Sequence, residues 1–305
     1  MNTLLRSLAI AATLLAPVAM AAPTTAEPTY HYSVIDYPGA ANTALYAINA
    51  RGAYVGAMKD TTGAHHAVHG HGGQLAVLNP NGPIGRAVES WAFTTNVLGE
   101  IGGTYVDAAG STHGFIYRPG GRVDTIDLPG AKVTQVYGLN DRGQFIGLYD
   151  DANGQTHAYA NVDGQFQTID LPNGVATIPL SINDSGQIAG EFIATANTVG
   201  YGFLRYPDGH VTLHSAPDAP PEQTLYISIN NRRQVLGTWF DGDGNPHNFV
   251  RQHGRHVPFN LPDSFGAVYV AAETINDQGD IVGVFFDSNF VAHGFLADRP
   301  LPVNH

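Results

Sequence analysis

The chain has 305 residues, with 14 Lys+Arg against 26 Asp+Glu and a formal net charge of −12. That balance argues against nucleic acid and anionic membrane surfaces as partners, because neither phosphate array would be neutralised. The lack of cysteine excludes a disulfide framework, thiolate catalysis and Cys-ligated metal. Charged residues at 13%, hydrophobics at 43% and 36 glycines point to strands and turns around a buried core, not to amphipathic helices or general disorder.

In chain order, the first element is an address. Residues 1–22 carry one cation, Arg6, then an apolar stretch from Leu8 to Val18 and the small-residue site Ala19-Met20-Ala21. This reads as a secretory signal peptide; the apolar run falls short of the ~20 residues a spanning helix needs. No cysteine follows it to take a lipid anchor, and no later stretch is a transmembrane segment. The protein is expected to be secreted, either extracellular or periplasmic. Residues 23–30 read as a linker, 31–297 as the folded body and 298–305 as a C-terminal tail.

The body is one unit written six times. An Ile-Asn-type pair recurs with its Asn at 49, 96, 140, 183, 230 and 276, at intervals of 43 to 47 residues. Seven residues after each Asn comes Gly56, Gly103, Gly147, Gly190, Gly237 or Gly283, and two residues later a large side chain such as Tyr105, Tyr149, Trp239 or Phe285. A His-small-aromatic cluster follows, as in His113-Gly114-Phe115 and His157-Ala158-Tyr159. A closing run then ends in Ile126-Asp127-Leu128-Pro129 or Ile169-Asp170-Leu171-Pro172. Asn-Asp-x-Gly between apolar runs is a tight turn, since Asn, Asp and Gly accept dihedrals that other residues resist. Each copy therefore predicts four antiparallel strands, the length and content of a β-propeller blade. The sixth copy stops after His293-Gly294-Phe295 without a fourth strand, whereas the chain opens with Tyr32-Ser33-Val34-Ile35-Asp36-Tyr37-Pro38, which matches the missing one. The expectation is an all-β, six-bladed propeller whose last blade is closed by the N-terminal strand, residues 31–37. An open array would instead carry its own caps.

The His-(Ala/Gly)-(Phe/Tyr) cluster, preceded by Ile-Asn-Asp-x-Gly and followed by Ile-Asp-Leu-Pro-Gly-Ala, resembles the HAF repeat of bacterial extracellular proteins over residues 31–297. Val68, Tyr201 and Arg233 depart from it in copies 1, 4 and 5. The resemblance implies an exported bacterial repeat protein and carries over no catalytic residue.

Candidate chemistry comes from residues that break the repeat. The repeated histidines (His66, His113, His157, His247, His293) are needed in every blade and so read as structural, paired with a turn acid such as Asp107, Asp151, Asp241 or Asp287. In blade 1, His65, His69 and His71 share one strand face; His69 and His71 are about 7 Å apart by strand rise, a spacing that can ligate Zn²⁺ or Cu²⁺. Glu273 stands three residues before its Asn, where the other copies have Tyr46, Phe93, Tyr137, Leu180 and Ile227. Glu191 follows Gly190 where the others have Ala57, Thr104, Leu148, Thr238 and Val284. Either carboxyl, if buried, would be raised in pKa and suited to acid–base work. Lys59 stands in blade 1 where the other copies have Val106, Asp150, Ile193, Phe240 and Phe286, a cation available to pair with an acid. The long loop Asn81–Trp91 supplies Arg86, Glu89 and Trp91, and Trp91 with Tyr46, Tyr137 and Tyr226 would make an aromatic floor for a sugar ring. Asp241-Gly242-Asp243-Gly244-Asn245 begins like a calcium loop but lacks its sixth-position Gly and closing Glu.

The leading expectation is a binding or scaffold protein that recognises a glycan or cell-envelope polymer on its loop-rich face. Two alternatives stand beside it. One is a polysaccharide hydrolase or lyase using Glu273 or Glu191, with Arg86 or Lys59 stabilising charge. The other is a purely structural surface protein.

Overall fold

The computed structural model describes residues 30–79, 82–196 and 198–300; the leader expected over 1–22 lies outside the described residues, as do most of the linker and the end of the tail. Strand β1 spans His31–Ile35. The first repeat is β2 (Asn42–Ile48), β3 (Tyr54–Lys59), β4 (His65–His71) and β5 (Gln74–Val77). The second is β6 (Glu89–Thr95), β7 (Ile101–Val106), β8 (Thr112–Tyr117) and β9 (Val123–Ile126). The third is β10 (Val133–Leu139), β11 (Phe145–Asp150), β12 (Thr156–Val162) and β13 (Gln165–Thr168). The fourth is β14 (Ala176–Ile182), β15 (Ile188–Ile193), β16 (Tyr201–Arg205) and β17 (Val211–His214). The fifth is β18 (Thr224–Ile229), β19 (Val235–Phe240), β20 (Pro246–Gln252) and β21 (Arg255–Pro258). The sixth holds β22 (Tyr269–Ile275), β23 (Ile281–Phe286) and β24 (Ala292–Asp298).

Consecutive strands pair antiparallel within each repeat, and the sheets form an all-β propeller. Among the described residues there are four separate four-stranded sheets and one eight-stranded sheet, which corrects the expectation of six separate ones. The larger sheet joins repeats two and three through a parallel bridge between Val133 and Thr112. At this junction Gly114 of β8 faces Val136 of β10, and a Cβ placed there would sit 3.1 Å from the valine side chain. The fourth member of the last sheet is β1, paired antiparallel with β24 from His31↔Asp298 to Ile35↔Gly294. Pairing stops at Ile35, short of the expected 37, because the chain turns at Pro38 and Gly39, the latter with φ of 81°.

The repeated asparagine explains how the repeats hold one another. In every copy its Oδ1 accepts the backbone N–H groups two and four residues on, for example Arg142 at 3.1 Å and Gln144 at 3.0 Å for Asn140. Its Nδ2 donates to the carbonyl of the next copy's asparagine: Asn49 to Asn96, Asn96 to Asn140, Asn140 to Asn183 and Asn183 to Asn230. Asn230 donates to Asn276, and Asn276 returns to Asn49 at 3.1 Å. The side chain thus stabilises its own turn and clasps the next repeat, and the sequence of bonds closes on itself. All six asparagines are buried, so no water competes for these bonds.

The repeated histidines are structural clasps. His113 pairs through Nδ1 with Asp127 at 2.9 Å and through Nε2 with the turn acid Asp107 at 3.4 Å. His157 bridges Asp170 (2.7 Å) and Asp151 (3.7 Å) in the same way. In the last repeat the fourth-strand acid comes from the other end of the chain: His293 Nδ1 meets Asp36 at 2.7 Å. Each of these rings also lies over the large residue opposite it, as in Trp239–His247 with centroids 4.1 Å apart.

Candidate functional site

The site is built from a backbone irregularity that occurs in all six inner strands. Pairing with the second strand slips at Leu45/Ala47, Ala92/Thr94, Val136/Gly138, Pro179/Ser181, Tyr226/Ser228 and Ala272/Thr274. The extra residue is in each case the one three before the asparagine: Tyr46, Phe93, Tyr137, Leu180, Ile227 and Glu273. A bulge bends the strand and re-aims that side chain, and all six line the central cavity. The glycine seven after the asparagine is what permits this. A Cβ at Gly147 would lie 1.8 Å from the carbonyl oxygen of Gln135, and one at Gly56 would lie 1.9 Å from that of Ala44. The repeat glycine is therefore required by close backbone approach, not by dihedral freedom.

The cavity is about 210 Å³. One wall is aromatic: Tyr46 and Phe93 have centroids 5.3 Å apart, and Phe93 and Tyr137 5.1 Å. Glu191, Glu273, Phe240 and Tyr269 also line the cavity, with Glu273 close to Tyr46 and Tyr269. Glu191 is 4% exposed. Neither glutamate makes a hydrogen bond or ion pair with another described residue, so burial pushes each carboxyl up to about 8. Burial, then the neighbouring Glu273, raises the Tyr46 phenol, and takes Tyr269 to about 12. At one end Asp141, Asp184, Asn231 and Asp277 follow the asparagine ring; Asn231 Nδ2 donates to Asp184 at 2.7 Å and to Asp277 at 3.0 Å. Burial first, then Asp184 and Asp277, raises the Asp141 carboxyl.

The structure brings together some of the residues singled out from sequence and separates others. Tyr46, Tyr137, Glu191 and Glu273 share the cavity. Trp91 does not join them: it is 8% exposed and packs on His65, ring centroids 5.2 Å apart. Tyr226 is fully buried between repeats, stacked on His214 and covering Gly202. The aromatic floor expected from Trp91, Tyr46, Tyr137 and Tyr226 is thus corrected to Tyr46, Phe93 and Tyr137, since the bulge and not the loop aims these rings. Glu89 pairs with His65 at 3.0 Å, Arg86 is exposed on the loop, and Lys59 is half-buried at the end of β3. His65, His69 and His71 do not form a ligand set: His65 is taken by Glu89 and Trp91, and among the described residues no group of three or more His, Cys, Asp or Glu is placed to hold a metal ion. Sequence comparison missed Phe240 and Tyr269. Aligning the copies at every inner-strand position would have found Tyr269, whose counterparts are Asn42, Glu89, Val133, Ala176 and Gln223.

No protein-family model matches the chain, and no curated protein matches it. Solved structures do resemble it. A triple-arginine mutant of AofleA from Arthrobotrys oligospora superposes with a TM-score of 0.54 at 15% identity, covering 88% of this chain and 86% of that one. The Aleuria aurantia lectin, described as a fungal lectin with a six-bladed β-propeller fold and a novel fucose recognition mode, gives 0.53 at 13% identity over 88% and 91%. A mutant of that lectin in complex with α-methyl-L-fucoside gives 0.52 at 14% identity over 84% and 91%. The likeness is one of fold. Among the described residues no helix is long and apolar enough to cross a membrane.

Proposed function

We propose that this chain is an exported glycan-binding protein of HAF-repeat type, a six-bladed propeller when the eight-stranded sheet is counted as two blades. Its ligand site is the central cavity. The observation that carries this reading is the cavity itself: bulges deliver three aromatic rings to one wall, and two carboxyls without protein partners line the same cavity. Aromatic faces take the apolar side of a sugar ring, and a protonated carboxyl offers its hydroxyls both a donor and an acceptor. The fold likeness to propeller lectins supports the same class of ligand.

A hydrolase or lyase is less well supported. Two-carboxyl hydrolysis needs one acid and one base whose environments drive their pKa values apart. Here burial raises both carboxyls in the same direction, each to about 8. A structural role alone leaves the two unpartnered acids without a purpose.

The test is retention on immobilised polysaccharides together with calorimetry against a monosaccharide panel. Paired Tyr46→Ala and Phe93→Ala should weaken binding about tenfold or more, a loss of about 1.4 kcal/mol. Retention unchanged in that double variant would move the site away from the cavity, and shortening of the polymer would restore the hydrolase reading.

A further inference from the structure

Five acidic side chains line the central cavity, Asp141, Asp184, Glu191, Glu273 and Asp277, while no described Lys, Arg or His does. The aspartates are already engaged. Asp141 accepts the N–H of Val97, Asp184 that of Asp141, and Asp277 that of Asn231. Glu191 and Glu273 are not. Glu191 in particular is buried to 4% exposure and lines the cavity with no partner. A desolvated acid left unpaired destabilises the fold, and such groups call for a specific explanation. The aromatic lining adds a second preference of the same sign, because aromatic faces attract cations. Among the described residues no cationic side chain lines the cavity to favour an anion.

We propose that the ligand of this cavity carries a positive charge, as an amino sugar or an amine-bearing glycan unit, its ammonium taken by Glu191 or Glu273 and its ring laid on Tyr46, Phe93 and Tyr137. The proposal rests on the cavity being the glycan site and names the class of glycan. No covalent bond forms or breaks. The carboxyl O–H proton passes to buffer, the ammonium keeps its protons, and an ion pair replaces a neutral acid. The titratable groups facing Glu273 are Tyr46 on β2 and Tyr269 on β22, both kept neutral by burial and by Glu273 itself. No charged group acts on Glu191, whose carboxyl is held neutral by burial alone. Binding of a cation therefore releases protons, whereas binding of a neutral sugar does not.

The experiment is calorimetry on the mature protein at about pH 7, in two buffers of different ionisation enthalpy. Glucosamine, galactosamine and mannosamine are each compared with glucose, galactose and mannose. The expected result is one or more amines binding at least about tenfold tighter than the parent sugar, with proton release. Glu191→Gln or Glu273→Gln, whichever carboxyl takes the ammonium, should shrink both the preference and the release; if neither variant changes them, the proposal is overturned. Parent sugars binding as tightly as the amines would overturn the charge requirement and leave the cavity reading standing. If no sugar of either kind binds, and Tyr46→Ala with Phe93→Ala leaves polymer retention intact, both readings fall. Should a Gln variant fail to fold, the proton count on the unmodified protein decides, because amine binding without proton release contradicts the proposal.

Discussion

Replacing Asn276 with alanine removes the asparagine bond between the last repeat and the first, beside which Thr274 Oγ1 still donates to Tyr46 O at 2.6 Å. Its Nδ2 donates to Asn49 O at 3.1 Å and to Asp280 Oδ2 at 2.9 Å; its Oδ1 accepts from Gln278 N at 3.0 Å and Asp280 N at 2.9 Å. Gln278 is exposed, so water replaces its lost partner at little cost. Asn49 is buried, but its carbonyl keeps the Gly52 N–H at 3.0 Å, so it loses one of two bonds, worth about 0.5–1.5 kcal/mol. Adding the half-buried Asp280 amide and carboxylate, the expected loss is about 2–5 kcal/mol, a large part of the ~5–15 kcal/mol that stabilises a typical domain. Asn276→Asp is the sharper control. It preserves both accepted bonds but turns an oxygen towards Asn49 O and the Asp280 carboxylate, so it should destabilise at neutral pH and recover in acid as the introduced carboxyl protonates. Urea denaturation followed by circular dichroism measures both. An Asn276→Ala change below about 0.5 kcal/mol, the size of an ordinary surface substitution, would refute the claim that the asparagine bonds hold the ring shut.

Three further outcomes follow from named contacts. Glu191 binds its proton more tightly folded than unfolded, its carboxyl raised from 4.5 to about 8. Its contribution is therefore fully present below about pH 4.5 and is lost as pH rises towards 8, on the order of a few kcal/mol at about 1.4 per tenfold change in proton affinity. Glu191→Gln should flatten that part of the stability–pH curve and raise stability at pH 8 if the reasoning holds, and thermal melts across the range will show it. Gly147→Ala drives a methyl to 1.8 Å from Gln135 O and should prevent repeat three from forming its bulge, lowering soluble yield or costing several kcal/mol; a melting point like that of the unmodified protein would contradict the close-approach argument. Trp91→Ala should cost about 3–5 kcal/mol as a buried aromatic truncation while leaving sugar affinity unchanged, and a selective loss of binding in a stable variant would return Trp91 to the site.

The number of repeats, the strand content, the turn positions and the borrowed strand are all present in local chemistry. Asn-Asp-x-Gly stops a strand wherever it occurs, and Ile35-Asp36-Tyr37-Pro38 carries the same fourth-strand pattern as Ile126-Asp127-Leu128-Pro129. Comparing copies also marked Glu273 and Glu191, because a carboxyl among five apolar or small counterparts stands out without any coordinates. The destination of Trp91 was not legible, since a tryptophan beside a long loop is equally compatible with exposure and with packing on a histidine two strands away. Nor was the link between the invariant glycine and the residue that lines the channel, because a bulge arises from the approach of two backbones and leaves no mark on either strand read alone. Spacing and turn chemistry act over a few residues and so are written in order along the chain. The joining of Tyr46, Phe93, Tyr137, Glu191 and Glu273 around one cavity depends on the angle at which successive sheets meet, and the ring of asparagines, the borrowed strand and the packing between repeats set that angle together.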